Sequence, residues 1–187
     1  FRYGGLEKDG IYLDETNMRM CYTHRSMFMQ LIGALIDEGK KDKALKALEY
    51  CEKVIPAKNV PYDIMSIGID YNDDDQIYFK LPHYWHEVGR DKEAERILCA
   101  VATNACEYLQ WYATFPPHRL VTYTNSCDRQ MRYLLAAING LKECKSKKAD
   151  DFQKLYDVVE KSQIGHLLAA QYQRYAEQEA AEAEGEE

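Results

Sequence analysis

His83, His86 and Glu87 come nearest to chemistry in this 187-residue chain, by residue type and by spacing. Two imidazoles three apart, followed by a carboxylate, can share one helix face and hold a divalent metal. The same residues also suit the polar wall of a groove beside the kink that Pro82 should impose. With no third histidine close in sequence, the groove reading is preferred and metal-dependent catalysis stays the lesser alternative. Asp70-Tyr-Asn-Asp-Asp-Asp75 begins like a calcium loop, but Asp75 and Leu81 stand where an EF-hand needs glycine and glutamate. The acids are read instead as the N-cap and first turn of a helix, where carboxylates favour the positive helix end. Six cysteines (Cys21, Cys51, Cys99, Cys106, Cys127, Cys144) are widely spread without a CxxC pair. That pattern suits neither zinc nor a disulfide scaffold, and buried free thiols are expected. Cys99 and Cys106, seven apart on one helix, are separated by about 10 Å of rise and cannot bridge. Neither a nucleophile with an ordered base nor a glycine-rich phosphate loop is legible, and Gly4-Gly5 is a lone turn dipeptide. The expectation for this chain is a non-enzymatic domain with no catalytic residues, no cofactor and no metal ligands.

The elements that must position these residues are helical hairpins. Phe28, Leu31, Leu35, Gly39, Ala44, Leu48, Cys51 and Pro56 follow one another at spacings of 3, 4, 4, 5, 4, 3 and 5. This is the tetratricopeptide pattern: large residues build helix A, a glycine reverses the chain, and a small residue lets helix B approach. Tyr78, Leu81, Trp85, Gly89, Ala94 and Leu98 repeat the spacings 3, 4, 4, 5 and 4. The turn glycines lie 50 apart, which implies an insertion around residues 59–74. Repeats are thus expected at 25–58 and 75–108, the second with Pro82 inside helix A and with helix B running to about Phe115. On the repeat geometry, Ser26, Met29, Gly33, Ile36 and Asp37 of the first repeat should share a concave groove with Phe79, His83, His86 and Glu87 of the second.

Two repeats are fewer than a free-standing array needs, so the flanks must complete the core. Asp14 is a plausible N-cap for a helix running to about Glu38. Cys127, Met131, Leu134, Ile138 and Leu141 mark an amphipathic helix. A polar turn over 145–150 precedes a last helix carrying Phe152, Leu155, Tyr156, Val159, Leu167 and Leu168. The predicted fold is all-α, a tetratricopeptide-like superhelix of about six main helices. It comprises an N-terminal extension over 1–14, one helical domain over 15–175 with a third, non-consensus hairpin over 118–175, and an acidic tail over 176–187.

Composition narrows function further. The net charge of −7 is concentrated at the end, where six glutamates follow Ala176; without them the rest carries about −1. No basic footprint for nucleic acid exists. No apolar run reaches the length of a membrane span, and no signal peptide is legible. The start at Phe1 reads as a cut inside a longer protein.

Several strings carry a family likeness: Phe1-Arg-Tyr-Gly-Gly-Leu6, Ile11-Tyr-Leu-Asp-Glu15, Met18-Arg-Met-Cys21, Asn59-Val-Pro61 and Glu107-Tyr-Leu-Gln-Trp-Tyr112. Together they resemble the C-terminal soluble region of large bacterial multi-spanning membrane proteins. That domain-of-unknown-function family is similar to lipid-linked-sugar glycosyltransferases, including protein O-mannosyltransferases. The resemblance covers residues 1–115 well and the last helices loosely. It implies a soluble tail on the periplasmic face of the inner membrane, with the parent's catalytic residues in the membrane part, none of them on this chain. The expected partner is a protein or peptide, or other segments of the parent. An intramolecular cap and a small metal-dependent enzyme using His83, His86 and Glu87 are the alternatives.

Overall fold

The computed structural model describes residues 4–62, 64–72 and 76–185. It is an all-α fold, 75% helical with one two-stranded sheet. The first helix, α1 (Glu15–Asp37), starts where Asp14 accepts a hydrogen bond from the Asn17 amide at 2.8 Å, as the capping residue predicted. Its partner α2 (Lys41–Val54) buries Ala44, Leu48 and Cys51 against it. The turn between them is a Schellman closure: Gly39 takes φ 72°, its amide donates to the Ile36 carbonyl, and the Lys40 amide donates to Leu35.

The insertion forms α3 (Ile64–Ile67) and an antiparallel pair, β1 (Ile69–Tyr71) with β2 (Ile77–Phe79). Here the structure corrects the sequence reading. Asp70 and Tyr78 are strand residues, not helix-A residues, and α4 (Lys80–Glu87) begins only at Lys80. Pro82 explains the shortening: it falls in the first turn of α4, where its missing N–H has no helical partner to lose. Asp73–Asp75, read as part of a capping cluster, lie outside the described residues. Asp70 instead pairs with Lys80 at 2.9 Å.

The second hairpin joins α4 to α5 (Asp91–Ala113), and its turn repeats the first one bond for bond. Gly89 takes φ 76°, its amide donates to His86, and the Arg90 amide donates to Trp85. After the short α6 (Pro117–Leu120) comes α7 (Thr124–Glu143), which buries the expected Cys127, Met131, Leu134, Ile138 and Leu141 and packs extensively on α5. Beyond α7 the same closure occurs a third time. Lys145 takes φ 55° and donates to the Lys142 carbonyl, while the Ser146 amide donates to Leu141. The chain then enters α8 (Lys148–Glu160). The expected single last helix is broken at Lys161–Ser162, and α9 (Gln163–Gly185) continues through most of the stretch read as an acidic tail.

One apolar cluster runs from Met29 and Ile32 through Trp85, Ile97 and Leu98 to Leu134, Ile138 and Leu168. A smaller one (Cys21, Ile55, Val60) lies under the N-terminal loop. Between the two sits Arg25, at 0% exposure. Its guanidinium donates to the carbonyls of Pro61, Ile55 and Val60 and to Ser66 Oγ at 2.7–3.1 Å. It therefore fastens the chain after α2 onto α1. Tyr62 lies between the Arg25 and Arg96 guanidinium groups, 5.2 and 5.4 Å from its ring centroid.

Candidate functional site

A cavity of about 520 Å³ opens between the β1–β2 pair, α4 and α7. Ile77, Tyr78, Phe79, His83, His86 and Glu87 form one wall; Ala136, Asn139, Gly140, Glu143 and Cys144 form the other. Four of the expected groove residues are therefore brought together here. Phe79 is buried at the floor with its ring 6.1 Å edge-on to Tyr133. His83 is half-buried and stacks at 5.1 Å edge-on to Tyr78, with Tyr84 on its other side at 6.1 Å. Gly140 matters on the far wall: a Cβ there would meet Leu98 at 3.0 Å, so glycine lets α7 settle close to α5.

The first repeat's groove residues are not part of this cavity. Met29 is buried beneath the insertion, where the backbone of Gly68 lies against its side chain. The hydroxyl of Tyr84 closes over Gly33 so tightly that no Cβ fits between them. Ser26 and Ile36 are half-buried, and Asp37 stands exposed at the helix end. The continuous groove expected along both repeats is thus interrupted, because the insertion folds back over α1.

Nor do His83, His86 and Glu87 form the ligand set considered from sequence. Glu87 is taken by Lys41 of α2, whose Nζ reaches its carboxylate at 3.0 Å and its carbonyl at 2.8 Å. That hydrogen bond, more than the lysine's charge, holds the Glu87 carboxyl below its ordinary range. His86 turns the other way, its Nδ1 lying 2.7 Å from Asp91 Oδ1 and 4.0 Å from Cys144 Sγ. Among the described residues the ligand atoms that converge are those of His86, Asp91 and Cys144, all within 4.8 Å of one another. Three elements deliver them: the last turn of α4, the first residue of α5 and the C-cap of α7.

Burial pushes the Cys144 thiol up to about 11, and Asp91, Glu143 and Glu95 around it add to the effect. All six cysteines are free, and Cys99 and Cys144 are less enclosed than the other four. Sequence reasoning found His86 but missed both of its partners. Asp91 could have been found, since it follows the turn glycine at the position where α5 must begin. Cys144 could not, being 58 residues from His86.

The chain matches no protein-family model, no curated protein and no solved structure. No helix among the described residues is long and apolar enough to cross a membrane.

Proposed function

We propose that this chain is a protein-interaction module of tetratricopeptide type that holds a polypeptide segment in the cleft between α4 and α7. The observation that carries the reading is the cleft itself. Its volume of about 520 Å³ suits a bound side chain or short segment, and its walls alternate apolar surface with a few polar groups. The turn shared by the α1–α2, α4–α5 and α7–α8 hairpins supports the repeat reading. In the wider picture the module is the periplasmic C-terminal tail of a membrane-embedded glycosyltransferase-like parent, and its ligand is a partner or acceptor polypeptide. This assignment rests on the sequence resemblance.

The test is capture of partners by the purified chain beside His83→Ala and Asn139→Lys, which alter the two walls at partly exposed positions. A polypeptide retained by the native chain and lost by both variants is the expected result. Equal retention by all three removes the cleft from the reading.

A second reading, an intramolecular cap on the parent, is favoured by a different surface. Met20, Met27 and Leu31 lie seven and four apart along α1 and are exposed, as is Tyr50 of α2, whose ring lies 6.0 Å from that of Phe28. This is the side on which a preceding hairpin would stack. Binding only to other soluble segments of the parent, abolished by Leu31→Glu, would select this version over the cleft.

A further inference from the structure

We infer that His86, Asp91 and Cys144 form a binding site for a single thiolate-accepting divalent metal of the Zn²⁺ class, at the end of the α4–α7 cleft. The donor set is one imidazole nitrogen, one carboxylate oxygen and one sulfur, a mixture that Zn²⁺ accepts and that Mg²⁺ and Ca²⁺ sites, built from oxygen, do not use. The geometry needs little adjustment. Zinc–ligand bonds of about 2.0–2.3 Å in a tetrahedron place donor atoms roughly 3.2–3.8 Å apart. Here the nitrogen stands 2.7 Å from the oxygen and 4.0 Å from the sulfur. Opening the first separation and closing the second by about half an ångström each, and drawing the Asp91 oxygen and Cys144 sulfur, within 4.8 Å of each other, together by up to about 1 Å, admits the ion.

The competing account is a Cys–His–Asp catalytic arrangement, and the structure argues against it. Such a relay needs thiol and carboxylate on opposite ring nitrogens, so that the base can take a proton from one side while being oriented from the other. Here both approach Nδ1. A simple His86–Asp91 ion pair accounts for the carboxylate, and Cys144 also packs against the main apolar cluster, but its sulfur still lies 4.0 Å from the same nitrogen. Convergence of three donors on one point is what a shared ion requires.

Two further observations favour a cation. Glu143 adds negative potential around the thiol beyond Asp91 itself, whereas Glu95 is paired with Lys148 at 2.8 Å. The three donors also come from α4, α5 and α7, so an ion would join the second hairpin to α7 at the point where each chain reversal leaves its helix. Binding displaces the Cys144 proton to solvent and requires His86 to carry its proton on Nε2. Asp91 binds as the carboxylate, and no electron transfer is involved. His86 and Cys144 line the cleft while Asp91 does not, and a fourth position would take water. The site stands whether or not the cleft binds a polypeptide.

Cobalt(II) is the probe, because its thiolate charge-transfer band reports sulfur ligation directly. The expected result with the reduced native chain is one Co²⁺ bound per chain with a charge-transfer band that Zn²⁺ abolishes. Cys144→Ser should remove the band. His86→Gln and Asp91→Asn should each weaken Zn²⁺ binding by at least about tenfold in competition with a chromophoric chelator, since even outer-shell changes cost that much. Circular dichroism of each variant separates lost ligation from lost folding, and the native titration stands by itself if a variant fails to fold. A native chain that takes up no stoichiometric Co²⁺, or a band that survives in Cys144→Ser, overturns the site.

Discussion

Arg25 and His86 each carry a polar side chain into helix-packed surroundings, and the fold finishes the two in opposite ways. Around Arg25 the chain shuts out solvent: four hydrogen bonds run from its terminal nitrogens to three backbone carbonyls and Ser66, and its Nε alone lies buried without a partner among the described residues. Around His86 the cluster stays open. Its side chain is 37% exposed, it bonds closely to Asp91, and Cys144 stops at 4.0 Å. A guanidinium presents several fixed donors, so it can satisfy a whole loop of carbonyls and becomes part of the framework. An imidazole has two ring nitrogens, and two groups approaching one of them, a carboxylate at 2.7 Å and a thiol at 4.0 Å, leave a place that something else can complete. The first region is architecture; the second is where the molecule has room for a ligand.

The comparison can be broken first at Arg25. Replacement by Met strands the carbonyls of Ile55 and Val60 in the interior, and urea unfolding should show a loss of about 3–5 kcal/mol. Arg25→Lys keeps the charge but not the fork, and should lose roughly half of that. In contrast, His86→Gln in metal-free buffer should cost no more than about 1 kcal/mol, the scale of a partly exposed pair. Equal losses at the two positions would show that both clusters are structural.

Next in size is the alkaline response of the buried thiols. Burial lifts Cys51 to about 12, against the opposing pull of Arg25, and Cys127 to about 11. In the unfolded chain both return to their ordinary value of 9.0. The folded pKa values are raised, so their contribution is fully present below pH 9 and is lost as pH rises toward 11. Each thiol can contribute up to about 1.4 kcal/mol per pH unit in that window. Urea midpoints measured from pH 8 to pH 10.5 should therefore fall, and Cys51→Ala should flatten the slope.

How much of this was legible beforehand differs between the same regions. The helices that end in Gly39 and Gly89 were readable because glycine marks the left-handed residue that the turn needs, and the small Ala44 and Ala94 follow at fixed distance. The third hairpin uses the same turn but places Lys145 there, so its sequence concealed the equivalence. Pro82 gave a true warning about helix A, yet a proline in a first turn and one in a helix interior read alike until the start is known. The period-2 signal of Ile69–Tyr71 and Ile77–Phe79 is too short to separate from loop. Long-range polar choices were out of reach altogether: no local pattern announces that Arg25 will reach carbonyls 30–36 residues away, or that Cys144 will meet His86.

The concealed turn yields a prediction of opposite sign. A non-glycine residue in the left-handed region costs roughly 1–2 kcal/mol, partly offset by the greater freedom of glycine in the unfolded chain. Lys145→Gly should therefore stabilise the chain by about 0.5–1 kcal/mol in urea unfolding. Gly39→Lys, at the equivalent position of the first hairpin, should destabilise it by a similar amount. If Lys145→Gly is neutral or harmful, the three reversals are not equivalent in energy, however alike their hydrogen bonds.

The smallest effect is expected on the outer face of α1, and it sharpens the contrast between buried and waiting surface. Leu31 holds a consensus position of the repeat, yet its side chain is 51% exposed, because no hairpin precedes it in the described structure. Met29, two residues earlier, is buried under the insertion. Met29→Ala should cost about 2–5 kcal/mol, the range for emptying a packed methionine site. Leu31→Ser should stay within about 0.5 kcal/mol in the chain by itself, as surface changes do. If the intramolecular-cap proposal holds, addition of the proposed parent's soluble segments should separate the two variants: Leu31→Ser loses the complex while keeping the fold, and Met29→Ala loses fold and complex together. Retention of the complex by Leu31→Ser would leave the α4–α7 cleft as the surface to pursue.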